Sequence, residues 1–207
     1  MGIIVSYIYI FLLLVLSKIL PFKKEEYSRK FVHILSANWW VICMIYFNNI
    51  YEPLFVCFSF LIVNIINHRY TILTSIRRKE DDGWGEIFYS IGLILLVCFS
   101  YIMSDLKLGL FGALAIGYAD GFAALIGQTI PSKRFYNNKT LAGSSTFFII
   151  TILIYHFINP PITFSYAYII EVILVSFMLT LIEFLSSKGL DNIFIPIFST
   201  IFYVLLV

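Results

Sequence analysis

Residues 106–128 read LKLGLFGALAIGYADGFAALIGQ, and within them only Lys107 and Asp120 carry charge. A hydrocarbon core about 30 Å thick needs roughly 20 apolar residues in helical form, so this run is predicted to cross a bilayer. Gly112, Ala113, Gly117, Gly121, Ala124 and Gly127 recur in it at helical spacing. Such a stripe of small residues lets another helix backbone approach closely.

The rest of the chain has the same character. Of its 207 residues, 60% are hydrophobic and 13% charged, whereas a soluble domain carries about 25% charged residues. The expected fold is therefore all-α: one polytopic membrane helix bundle, a single domain over 1–207. Eight spans are predicted, at about 2–20, 31–48, 52–68, 86–103, 106–128, 142–158, 165–185 and 191–207. Turn-forming residues separate them: Pro21, Asn48-Asn49 with Pro53, Asp81-Asp82-Gly83, Pro131, Asn159-Pro160-Pro161 and Lys188-Gly189. Pro196 falls inside the last span, where it can kink or end a helix.

Basic residues follow the first span rather than precede it, so it reads as an uncleaved anchor with the N-terminus outside. That orientation puts 13 of the 14 Lys and Arg residues on the cytoplasmic side and leaves Lys107 outside. The bias alternates correctly from loop to loop, and an active face is expected to be cytoplasmic. The net charge of +2 is too small to argue for nucleic acid; short basic loops suit lipid headgroups or a phosphorylated substrate. Cys43, Cys57 and Cys98 all lie in apolar runs, an arrangement that suits packing rather than disulfides or a metal cluster.

Polar residues at membrane depth carry the functional signal. Asp120 lies about two turns from the cytoplasmic end of its span. Its segment reads either as a helix-packing face with a polar contact or as a site where glycines admit phosphates to the backbone. Lys139-Thr140-Leu141-Ala142-Gly143-Ser144 opens the next helix. Free amides at a helix start favour anions, although Lys139 also suits a topogenic flank. Arg29, Lys30 and His33 share a helix edge at the cytoplasmic boundary, fit either to grip a polyphosphate or to snorkel. Glu183, at the end of the seventh span, opposes the helix dipole and is locally unfavourable; Asp191 and Asn192 follow as oxygen ligands. Asn64, Asn67 and His68 are candidate substrate contacts. Glu86 and the acidic run at 80–82 read as a solvated loop, and Glu171 lies toward the external half.

Three motifs in this order resemble the CTP-dependent lipid-alcohol kinases, the family of phytol kinase, dolichol kinase and fungal-type diacylglycerol kinase. They are Arg29-Lys30-x-x-His33, Gly117-x-x-Asp120-Gly121-x-Ala123-x-x-x-Gly127 followed by Lys139-Thr140-x-x-Gly143-Ser144, and Glu183 with Gly189-x-Asp191-Asn192 and Pro196. The family commonly has Lys-Ser where this chain has Lys139-Thr140, and the hydroxyl is kept. The resemblance implies transfer of the γ-phosphate of CTP to a lipid alcohol, with Mg²⁺. It implies Asp120, Lys139 and Glu183 in catalysis and Asp120, Glu183 and Asp191 on the metal. Arg29, Lys30, His33, Gly117, Gly121, Gly127, Thr140, Gly143, Ser144 and Asn192 are then expected around the nucleotide. Competing readings are a phosphatidate cytidylyltransferase-like enzyme and a small ion- or proton-coupled transporter. The small-residue face of the fifth span is also a candidate homodimer seam.

Overall fold

The computed structural model describes residues 1–22, 25–73, 75–76, 83–135, 137 and 139–206. Lys23, Lys24, the basic residues 77–79, the acidic run 80–82 and Asn138 lie outside the described residues. All regular elements among the described residues are helical: α1 (Gly2–Ile19), α2 (Glu25–Ser36), α3 (Trp39–Tyr46), α4 (Tyr51–Tyr70), α5 (Gly85–Ile102), α6 (Leu106–Leu114), α7 (Asp120–Thr129), α8 (Leu141–Ile158), α9 (Tyr166–Leu185) and α10 (Asp191–Leu206). A π-helical turn, Ala115–Ala119, joins α6 to α7.

Among the described residues, six helices are long and apolar enough to cross a membrane: α1, α4, α5, the continuous stretch Leu106–Thr129, α8 and α9. They match six of the eight expected spans to within a residue or two. The other two differ. The predicted span 31–48 is two helices, α2 and α3, joined through Ala37 and Asn38 by backbone bonds of the tighter i→i+3 kind (Asn38 N–Leu35 O 3.0 Å, Val41 N–Asn38 O 3.0 Å). The Asn38 amide oxygen accepts from the Tyr118 hydroxyl of the π turn at 3.0 Å, so the side chain is committed across the bundle rather than to its own helix. The last span is the 16-residue α10, which runs unbroken through Pro196. At 1.5 Å per residue it is about 24 Å long, shorter than the hydrocarbon core.

The bundle is built around Leu106–Thr129, which is the most buried of the six candidate spans. Its small residues are used within the chain. A methyl at Gly117 would lie 2.4 Å from Ala37 Cβ, and one at Gly121 would lie 2.2 Å from Ile34 Cγ1. These two glycines let α2 lie directly on the π turn and α7. Gly127 is pressed in the same way against α8, where an added methyl would meet Thr140 Oγ1 at 2.6 Å. The stripe therefore seats α2 and α8 at the depth of Asp120. Gly121→Val is expected to destabilise the bundle by about 1–3 kcal/mol by overpacking, measured as lost thermal stability in detergent. Unchanged stability would mean that α2 is not held on α7 as described.

Candidate functional site

The site is assembled from four helix ends, one loop and the middle of α2. Asp120 begins α7 immediately after the π turn, the kind of helix irregularity that concentrates at functional sites. Lys30 on α2 reaches it with Nζ 2.7 Å from Asp120 Oδ2, and His33 Nε2 is 3.3 Å from the same oxygen. His33 Nε2 also donates to the Ile116 carbonyl within the π turn, at 2.8 Å. Asp120 and Lys30 are 7% and 5% exposed, so this is a buried ion pair whose loss on either side strands a charge.

Lys139 is delivered by the α7–α8 loop, which folds back on itself. Phe135 N donates to Lys139 O at 2.8 Å, Leu141 N donates to Lys133 O at 2.9 Å, and Arg134 pairs with Thr140. The loop passes through Asn137 at φ 55°, a left-handed conformation that asparagine tolerates better than most residues. Thr140 caps α8, its Oγ1 accepting from Gly143 N at 3.1 Å. Lys139 Nζ then donates to Glu183 near the end of α9 and lies 3.3 Å from Asp191 Oδ2 at the start of α10. Gly189, at φ 84°, makes the α9–α10 turn with its α-carbon packed on Gly85, and a side chain there would collide at 2.5 Å. The locally unfavourable Glu183 is thus explained by its cation. Burial by itself would lower the Lys139 pKa, but Glu183, Asp191 and Asp120 outweigh it and hold the ammonium above its ordinary value.

One oxygen each of Asp120, Glu183 and Asp191 lies within 4.8 Å of the others. Neighbouring ligand oxygens around octahedral Mg²⁺ at about 2.0–2.1 Å lie about 3 Å apart, so this trio would have to draw in by up to about 2 Å to hold one ion. Three carboxylates face two ammonium groups, and Glu183 Oε2 is buried with no hydrogen-bond partner among the described residues. Both features fit an additional cation. Asp120, Glu183 and Lys139 line a cavity of about 450 Å³ with Gly127, Thr140, Gly143 and Ser144. Ser144 Oγ is likewise buried and unpartnered among the described residues.

The expected nucleotide residues therefore divide. Lys139, Thr140, Gly127, Gly143 and Ser144 share the cavity with Asp120 and Glu183, and Asp191 completes the carboxylate trio. Gly117 and Gly121 instead pack against α2. Arg29 is paired with Glu26 through two bonds of 3.0 and 2.7 Å. Arg29, His33 and Asn192 line a second cavity, between α1, α2, α4 and α5. Glu86 is not a solvated loop residue: it bonds His68 Nδ1 at 2.9 Å, and its side chain is 8% exposed. Asn67 binds Leu73 at both backbone atoms, at 3.2 and 2.6 Å, and so secures the turn after α4. Gln128 and Arg134 line the first cavity without having been expected there; Arg134 reads in sequence only as a loop charge.

Thr140→Ala removes the α8 cap and is expected to cost about 1 kcal/mol, whereas Thr140→Ser should retain it. Thermal stability in detergent checks this; an alanine variant as stable as wild type would refute the capping role.

Fold and site define a helical bundle of membrane type with a buried carboxylate–lysine centre at the helix ends. Among curated proteins, the phytol kinase of Synechocystis sp. is 26% identical over 148 residues, which are 67% of this chain and 61% of that protein. The uncharacterized protein MJ1137 of Methanocaldococcus jannaschii is 31% identical over 127 residues, 60% of each chain. The matches thus span about 60% of these relatives' lengths. Neither a protein-family profile nor a solved structure matches the chain.

Proposed function

We propose that this chain is a membrane-embedded kinase that transfers the γ-phosphate of CTP to the hydroxyl of a lipid alcohol at the cytoplasmic face. The observation that carries the reading is the trio Asp120, Glu183 and Asp191 gathered around Lys139, beside a cavity floored by the start of α8. The distant similarity to a phytol kinase supports the same class. The choice of CTP rests on the motif resemblance, and the cytoplasmic placement on the bias of basic residues.

A polyphosphate entering this cavity meets the α8 amides, the Ser144 hydroxyl and the Lys139 ammonium, all suited to anions. Three carboxylates would repel it unless a cation bridged them, and Mg²⁺ held by Asp120, Glu183 and Asp191 would neutralise charge on the transferring phosphate. Lys30 Nζ, 2.7 Å from Asp120 Oδ2, holds the carboxylate in place, so Asp120 accepts the hydrogen bond of the acceptor hydroxyl and aligns its oxygen. That oxygen bonds to the γ-phosphorus as the bond to the β–γ bridging oxygen breaks. CDP leaves, and the hydroxyl proton passes to Asp120 or to water. An ordinary aspartate is a weak base for an alcohol, so most of the acceleration comes from alignment and charge neutralisation.

The test is turnover by purified protein with Mg²⁺, a panel of lipid alcohols together with phosphatidate, and CTP, UTP or ATP, with mass spectrometry following lipid and nucleotide products. A lipid monophosphate with CDP is the expected result. A CMP-bearing lipid with pyrophosphate would convert the assignment to a cytidylyltransferase. The absence of any turnover in folded protein would overturn the enzyme reading and favour transport.

A further inference from the structure

The second cavity meets the first through His33, which lines it and touches Asp120 of the first. We infer that it is the acceptor's own binding slot: it takes the apolar tail of a single-chain alcohol and holds the hydroxyl at Asn192 and His33, next to Asp120. The inference rests on the kinase reading for its chemistry, but the geometry stands by itself.

The slot is polar at one end and apolar at the other. Its polar end is lined by His33, Asn192 and Glu86. Its depth is lined by Ile10, Leu14, Trp39, Phe60, Val63 and Leu93. From Glu86 to Leu93 along α5 is about 10 Å at 1.5 Å per residue. Val63, one of its lining residues, is 45% exposed, on the side from which a membrane-borne acceptor would arrive.

Two residues tie the polar end to the chemistry. His33 lines the slot and also touches Asp120 at 3.3 Å, while its ring lies on Tyr89 with centroids 4.6 Å apart. Asn192 lines the slot next in sequence to Asp191 of the carboxylate trio. Its Nδ2 donates to Gly85 O at 3.1 Å, which fixes the amide orientation. Its Oδ1 is left buried, with no partner among the described residues. A buried acceptor without a donor is costly unless a ligand supplies one, and an alcohol O–H is a donor of the required kind on arrival, before it turns to Asp120 for transfer. At about 120 Å³ against about 450 Å³ for the phosphate cavity, the slot is the narrower of the two, and a single chain suits such a space better than the paired chains of a glycerolipid.

The probe is a single-chain prenyl alcohol bearing a terminal diazirine, photolysed on the full-length protein in nanodiscs and mapped by peptide mass spectrometry. Label is expected on slot residues of α1, α4 and α5, with or without nucleotide. Excess unlabelled prenyl alcohol should displace it, and diacylglycerol should not. In the turnover assay, Ile10→Trp and Leu14→Trp, which fill the slot from α1, should raise KM for the alcohol on the order of ten-fold, equivalent to about 1.4 kcal/mol, with KM for CTP unchanged. Label confined to other helices overturns the slot even if the kinase turns over. Label in the slot without phosphoryl transfer by the wild type upholds the slot and defeats the kinase reading. Equal displacement by diacylglycerol overturns the single-chain assignment.

Discussion

Replacing Asp120 by asparagine is expected to reduce phosphoryl transfer by about 10³-fold or more, and at the same time to weaken the fold. The first effect follows from losing the group that aligns the acceptor and contributes to the cation site, where single electrostatic contacts are worth about 3–4 kcal/mol. The second follows from Lys30, which is 5% exposed and lies 2.7 Å from Asp120 Oδ2. Asparagine leaves that ammonium buried without its counter-charge, at a cost of about 3–5 kcal/mol. Inactivity of the single variant could therefore reflect unfolding. Asp120→Asn combined with Lys30→Met removes both charges, and it is expected to recover thermal stability while remaining inactive. Turnover by the stable double variant at the wild-type rate would remove Asp120 from the mechanism.

Lys139→Met should produce the second-largest loss, about 10²–10³-fold in kcat/KM for the nucleotide. Lys139 holds Glu183 and Asp191 together, and it is the ammonium closest to where the phosphates would lie. Methionine keeps the aliphatic stem but leaves two buried carboxylates facing each other without compensation, so stability should also fall. Adding Glu183→Gln relieves the repulsion and should restore stability without activity. Photolabelling of the slot by the prenyl alcohol should survive in this double variant, because neither residue lines it. Wild-type nucleotide kinetics in Lys139→Met would show that the lysine serves only to balance charge.

How far the sequence could be read depended on the range of the physics involved. Six spans were legible to within a residue or two because hydrocarbon thickness acts on contiguous sequence, and apolar runs such as 2–19 and 166–185 satisfy it locally. The π turn at Ala115–Ala119 and the joint at Ala37-Asn38 were not legible, since both depend on α2 lying against α7 through Gly117 and Gly121. Asp120 and Glu183 stood out as charges where a bilayer or a helix dipole disfavours them, and Lys139 as a cation in a helix-start segment suited to phosphate. The same logic misread Glu86, whose partner His68 lies on a different helix.

By itself, then, the sequence determined that this is a helical membrane-type protein, where most of its helices run, and which acidic and basic groups need compensation. Hydropathy and charge placement are properties of each segment alone. Only the tertiary structure decided which charges meet. It paired Lys30 with Asp120 across 90 residues and Lys139 with Glu183 across 44. It also separated the residues around Lys139 from Arg29, His33 and Asn192, which line the neighbouring slot. The reason is geometric: small residues along 106–129 fix how closely α2 and α8 approach, and that approach sets which side chains share a cavity.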